Sequence, residues 1–235
     1  MSTVFLLRHS LQTLAKTGQA LAQEGSWRLC GEAHLIEDAW PLLRLLQPEL
    51  LVCDLRLIDG HSLRLLRRMR AQTLRCRVLL LSACADDLLL FETLASGAHG
   101  YHIECARGPT LGDSLLALQQ GRAVMSPALA RQLLARFGLK RSSIELAQSP
   151  LAGRDREPAG DTLMRQCERH LLSLVAHGLL VGEVAQRWQL GREQVELRLG
   201  KLYERLHGLL AVPGTEESGD QGLKSTISEL AELLP

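Results

Sequence analysis

LLVCDLRLIDGHSLRLLRRMRAQTLRCRVLLLSA, residues 50–83, holds the unit on which the fold turns. Its two ends, 50–54 and 77–83, are short and almost wholly apolar. Between them, Leu63, Leu66 and Met69 recur at helical spacing in a segment otherwise dense in arginine, 61–72. A run that is apolar at every position is a strand covered on both faces, and an amphipathic helix joining two of them makes a parallel crossover.

The same alternation extends both ways. Upstream lie a strand at 3–7 (TVFLL), a helix at 10–24 with Ser10 as its N-cap, a strand at 27–33 (WRLCGEA) and a helix at 36–47. Pro41 in that last helix is expected near its first turn, where a missing N–H costs nothing. Downstream lie a helix at 86–97 closed by Gly97, a short strand at 98–103 and a helix at 109–121 that starts with proline and stops at glycine. Five such units in about 120 residues predict a doubly wound, five-stranded parallel sheet of flavodoxin-like order. Its functional crevice lies beyond the carboxyl ends of the strands, just after residues 7, 54, 81 and 103.

A further helix follows at 126–138, capped by Ser126, with Pro127 at its first position. Residues 139–160 mix Ser, Gly, Pro and charge and read as a linker. From 161 the pattern is all helical: a long segment ending at Gly178, a short one at 181–189 and a longer one at 192–206, the layout of a helix-turn-helix. Residues 213–222 read as flexible. In 223–234, Leu223, Ile227, Leu230 and Leu234 fall on one helical stripe fit to dock on a domain or a second chain.

Composition narrows the function classes. The chain has 235 residues, is 46% hydrophobic and carries a net charge of +1, which suits two small globular domains and excludes a largely disordered chain. No apolar run is long enough to cross a bilayer, and Arg8 and His9 interrupt the first one, so the expected compartment is the cytoplasm without membrane association. Residues 161–212 carry seven Lys or Arg against six Asp or Glu, a weak basic excess for a DNA-binding unit; the tail, 213–235, has five acids and one Lys. The cysteines at 30, 53, 76, 84, 105 and 167 form no CxxC pair and no zinc spacing, and most sit in apolar runs as packing residues. A metal or redox sensor built from His9, His102, Cys53, Cys84 and Cys105 is the weaker reading of the same residues.

The first 130 residues resemble a CheY-like receiver domain, and the block 164–206 resembles the helix-turn-helix of LuxR/NarL-type response regulators. The resemblance rests on SPALARQLL after the receiver and on HLLSLVAHGLLVGEVAQRWQLGREQVELRLGKLYERL, with Glu168, Gly178, the Glu183-Val184-Ala185 run and Val195 at family positions. It implies an α/β receiver followed by an all-α LuxR-type domain: a degenerate receiver at 1–122, a helix and linker at 123–160, the helix-turn-helix at 161–212 and an acidic tail at 213–235.

A receiver that accepts phosphate needs acids after the first strand to hold magnesium, an aspartate after the third, a Ser or Thr after the fourth and a Lys after the fifth. This chain has Arg8 and His9 in place of the acids, keeps Asp54 and Ser82, and has Glu104 in place of the lysine. Arg8 is a poor neighbour for a second cation, and Glu104 is expected to repel phosphate and Asp54 alike. Asp59 offers a replacement carboxylate, but the loop that holds it is shortened. Conventional magnesium-dependent phosphorylation is therefore not expected. Two readings stand for the altered residues: an internal Arg8–Asp54 salt bridge that replaces the metal, or simple drift at an empty rim. Tyr101 keeps the aromatic of the fifth strand, either as a partner of the Ser82 switch or as ordinary packing.

On the recognition helix, Gln194, Arg198, Lys201 and Arg205 form a row, with Arg192 near the start to touch phosphate; these are the residues expected to meet DNA. Glu196 replaces a usual lysine and opposes that reading, Leu197 meets a thymine methyl or faces inward, and Trp188 belongs to the core. The expected function is a DNA-binding transcriptional regulator that acts without aspartate phosphorylation. Its expected partners are double-stranded DNA, a second copy as a homodimer, and a protein partner engaged through the receiver. The alternative is an interaction module that sequesters a partner regulator without binding DNA. No cofactor, metal or enzymatic activity is expected.

Overall fold

The computed structural model describes residues 1–83, 88–104, 110–136 and 166–209. The expected linker at 139–160, Cys84, Cys105, and the tail with its 223–234 helix lie outside the described residues. The chain begins β1 (Ser2–Leu7), α1 (Leu11–Glu24), β2 (Trp27–Ala33), α2 (Ile36–Leu46) and β3 (Leu50–Asp54). A two-rung hairpin, β4 (Arg56–Leu57) and β5 (Gly60–His61), precedes α3 (Ser62–Ala71). Then come β6 (Arg77–Ser82), α4 (Leu88–Ala95), β7 (Gly100–Ile103) and α5 (Leu111–Gln119). Four helices complete it: α6 (Pro127–Arg136), α7 (Gln166–Ala176), α8 (Val181–Trp188) and α9 (Arg192–Leu209).

The main sheet has the order β2-β1-β3-β6-β7, and every pairing is parallel. This is the flavodoxin-like order expected from the sequence, followed by the expected helical region. Each residue of β3 is buried, as a central parallel strand requires, whereas β2 at the edge exposes Arg28, Leu29 and Glu32. One face of the sheet packs Val4, Leu6, Val52 and Leu79 against Leu14 and Leu21 of α1 and Leu115 and Leu118 of α5. The other face packs against α2, α3 and α4, and that core continues without a break into α6, α7, α8 and α9.

Local signals place the helices. Ser10 accepts from the Thr13 amide to start α1, and Gly25, in the left-handed region, ends it. Thr110 and Asp113 form a reciprocal capping box on α5. Ser126 accepts from the Leu129 amide to cap α6.

Pro41 departs from expectation. It lies inside α2 rather than in its first turn. Burial of Ile36, Ala39, Trp40 and Leu43 on one face holds the helix through the lost hydrogen bond, an example of tertiary packing overriding propensity.

Candidate functional site: a charge lock at the strand ends and a docked recognition helix

The carboxyl ends of β1, β3, β6 and β7 converge as the topology demands, bringing Arg8, His9, Asp54, Ser82 and Glu104 together. Arg8 is the hub, with only 2% of its surface exposed. Its Nε lies 3.0 Å from Asp54 Oδ1. That N–H does not point along the contact, so the pair is held by charge more than by an aligned hydrogen bond. Its Nη2 donates to both Glu104 oxygens, at 2.8 and 3.0 Å. Its Nη1 donates to Thr17 Oγ1 at 2.6 Å, and that hydroxyl donates to the Thr13 carbonyl one turn back in α1. The guanidinium is thus oriented from three sides.

Asp54 is engaged at both oxygens. Oδ2 accepts from the His9 backbone N–H at 2.7 Å and lies 2.6 Å from His9 Nδ1. Glu104 is held at the rim by its own amide, which donates to the Ser82 carbonyl. Of the two readings of the altered residues, the Arg8–Asp54 salt bridge is the one present. The expected repulsion by Glu104 is corrected: Arg8 stands between the two carboxylates and attracts both. Asp59 is not part of this group either. Its Oδ2 accepts from the Glu37 amide at the start of α2, a helix-end role.

Ser82 is buried at the end of β6, and Tyr101 is buried near the start of the neighbouring β7, opposite Leu80. His102 bonds to Ser114 on α5 rather than joining His9. Cys53 and Cys76 are buried packing residues, and burial pushes the Cys76 thiol up to about 12. Among the described residues no His, Cys, Asp and Glu cluster would hold a metal.

The second candidate region is α9, which presents three faces. Val195, Leu199, Leu202 and Leu206 are buried in the core shared with α7 and α8, and Trp188 joins them there as expected. A second face is docked on the receiver. The Glu196 carbonyl accepts from the Ala123 amide, the Tyr203 hydroxyl donates to the Val124 carbonyl at 2.8 Å, and His207 Nε2 lies 2.8 Å from the Ala98 carbonyl. Gly200 makes this approach possible: a Cβ there would lie 2.0 Å from the Gly121 carbonyl oxygen. Arg122 reaches across to Glu193 and Glu196 at 3.2 and 3.3 Å.

The third face carries the row expected to meet DNA. Gln194 and Lys201 are exposed, and Arg198 is half-buried. Arg205 is not free for phosphate: its Nη1 is held by Glu168 of α7. Arg192 remains exposed but pairs with Glu196 at 2.8 Å. Glu196 is buried between two arginines, so this acid serves the docked state. Leu197 is 38% exposed, with Glu193 and Glu204 beside it on the helix.

Sequence reasoning missed Thr17, Arg122, the Gly121–Gly200 contact and His207. Gly200 alone left a signal, since glycine in mid-helix costs about 1 kcal/mol against alanine and invites a packing reason.

No protein-family model matches the chain. Among curated proteins it is 27% identical to the DNA-binding transcriptional activator DevR/DosR of Mycobacterium tuberculosis, over 75% of each chain. It is 24% identical to the nitrate/nitrite response regulator protein NarL of Escherichia coli, over 82% of this chain and 84% of that one. Among solved structures, a LuxR-family two-component response regulator from Aurantimonas covers 58% of this chain and 97% of its own, with 20% identity and a TM-score of 0.51. RcsB of Salmonella enterica bound to the rprA promoter covers 90% and 98%, with 17% identity and a TM-score of 0.50. In sequence the chain is similar to DNA-binding regulators of the NarL/LuxR kind, and in fold it is a CheY-like receiver sheet followed by a helical region.

Proposed function

We propose that this protein is a DNA-binding transcriptional regulator whose receiver works without aspartate phosphorylation. The observation that carries the reading is the Arg8 hub. Both Asp54 oxygens are already engaged, by Arg8 and His9, and Glu104 occupies the place of a phosphate-binding cation. A magnesium ion would meet a guanidinium, and an incoming phosphoryl group would meet a carboxylate. Arg8 places its guanidinium between two acids, which favours one arrangement at this rim.

On this reading the regulated step is separation of α9 from the receiver. DNA contact falls to Gln194, Arg198 and Lys201, while Arg192 travels with Glu196, its partner on the same helix. The partners are double-stranded DNA and a second copy of the chain, reading paired half-sites. Relatives named as DNA-binding regulators support this class. The direct test is to incubate the protein with magnesium and acetyl phosphate, then measure intact mass and DNA affinity. Unchanged mass and affinity are expected; a mass gain of one phosphoryl group on Asp54 contradicts the reading.

One observation favours a second reading, an interaction module that sequesters a partner regulator. The face of α9 turned away from its own core carries Glu193, Leu197 and Glu204, a poor surface for phosphates and a serviceable one for protein. Salt-dependent DNA binding once the docking contact is broken separates the two.

A further inference from the structure

We propose that the segment 223–234 of this same chain seats in the cleft at the amino-terminal end of the sheet, steered there by Arg70 and Arg75. The cleft has a volume of about 470 Å³ and is lined by Leu50, Leu74, Arg75, Cys76, Arg77 and His99. Glu49, also at its edge, already accepts from the Ser2 hydroxyl. Three observations select the occupant.

The first is where the chain goes. His207, near the end of α9, lies edge-on to His99 with ring centroids 5.2 Å apart, so the helix ends beside a residue that lines the cleft. The residues between Leu209 and 223 would span up to roughly 40 Å if extended, ample for the return.

The second is charge. Arg64 and Arg68 of α3 are paired with Glu37, but Arg67, Arg70 and Arg75 make no ion pair among the described residues and are exposed. Residues 213–235 carry Glu216, Glu217, Asp220, Glu229 and Glu232 against Lys224 alone. The most acidic stretch of the chain is tethered near three uncompensated arginines, within the range where exposed charges still attract.

The third is apolar complementarity. Leu223, Ile227, Leu230 and Leu234 form one stripe at helical spacing, and an amphipathic helix needs an apolar surface on which to bury it. The half-buried Leu74 at the cleft, with the exposed Leu45 and Leu46 at the same end of the sheet, provides one. Seated there, the tail would brace α3 against the end of α9 and would keep its acids away from any DNA held by the recognition helix.

Hydrogen exchange read by mass spectrometry on the intact chain tests this. In the variant Ile227→Asp/Leu230→Asp, amides of residues 72–77 are expected to exchange about tenfold faster while those of β3 are unchanged. Arg75→Glu is expected to release the tail likewise, and adding Glu216→Arg/Glu217→Arg to it is expected to restore protection. No change at 72–77 in the tail variant overturns the proposal. Protection that rises with protein concentration also overturns it, since the occupant would then be the tail of a second copy.

Discussion

The two ends of the molecule's charge economy differ in kind. At the rim, Arg8 is buried, touches Asp54, Glu104 and Thr17, and is reached from β1, β3, α1 and the turn after β7. At the seam, Arg122 reaches Glu193, which is largely exposed, and Glu196, while most of the closeness comes from two glycines and backbone carbonyls. The rim resembles a fused joint and the seam a latch. A charge buried with fixed partners is costly to disturb in either direction, whereas the seam combines one main-chain hydrogen bond, side-chain bonds to the Val124 and Ala98 carbonyls and apolar packing of α9, so opening it exposes apolar surface but leaves no buried charge unpaired. A regulator that gave up phosphate would lose its switch at the first and keep one at the second.

The contrast is broken most forcefully at Arg8. Arg8→Ala leaves Asp54 and Glu104 facing each other without the cation, and the loss expected in urea unfolding is about 3–5 kcal/mol. Glu104→Gln, at a half-exposed carboxylate, is expected to cost far less. Equal losses for the two would show that Arg8 is not the hub.

The latch is tested by the smallest possible side chain. Gly200→Ala removes a helix-breaking residue yet places a methyl on the Gly121 carbonyl. Faster exchange at the Ala123 amide with α9 itself still protected is the expected result, and it separates undocking from unfolding. Wild-type protection at that amide would mean that the seam does not depend on this approach.

Acid sharpens the comparison. Burial, followed by the neighbouring His207 and Arg77, lowers His99 to about 4, and burial lowers His207 as well, against help from the Ala98 and Leu94 carbonyls and Glu204 and opposition from Arg70. Both rings are therefore favoured neutral when α9 is docked. Their contribution is complete above the ordinary histidine value of about 6.5 and is lost as pH falls from there towards 4. Undocking, followed by the same exchange probe between pH 7.5 and about 5.5, is expected to increase, and His207→Gln is expected to flatten the dependence.

The smallest effect belongs to the surface. Glu37 and Arg64 are exposed and Arg68 is half-buried, and Glu37→Gln is expected to change stability by no more than about 1 kcal/mol in thermal unfolding.

What was legible in the sequence follows the same division. The five apolar runs gave the sheet, and with it the meeting of residues 8, 54, 82 and 104, because parallel topology alone decides which strand ends adjoin. That placement made the Arg8–Asp54 pair one of two open readings, the other being drift at an empty rim. The sign of Glu104's effect could not be read from it, because it depends on which group stands between the carboxylates. Arg205 looked like a DNA contact by its place in a row, but its partner Glu168 lies on another helix, and only packing brings them together. The seam was the least legible part. It joins Gly121 to Gly200 and Ala98 to His207, residues far apart in sequence that follow no periodicity.

The central claim is that DNA binding is controlled by the seam and not by phosphate on Asp54. Its most direct test is fluorescence anisotropy of the full chain on random duplex fragments across a salt series, comparing wild type, Gly200→Ala, and Gly200→Ala combined with Arg198→Ala and Lys201→Ala. Weak binding by wild type, tighter salt-dependent binding by Gly200→Ala, and loss of that gain in the combined variant are the expected results. Undocking without any gain in DNA affinity at low salt would contradict the claim and leave the interaction module as the better account.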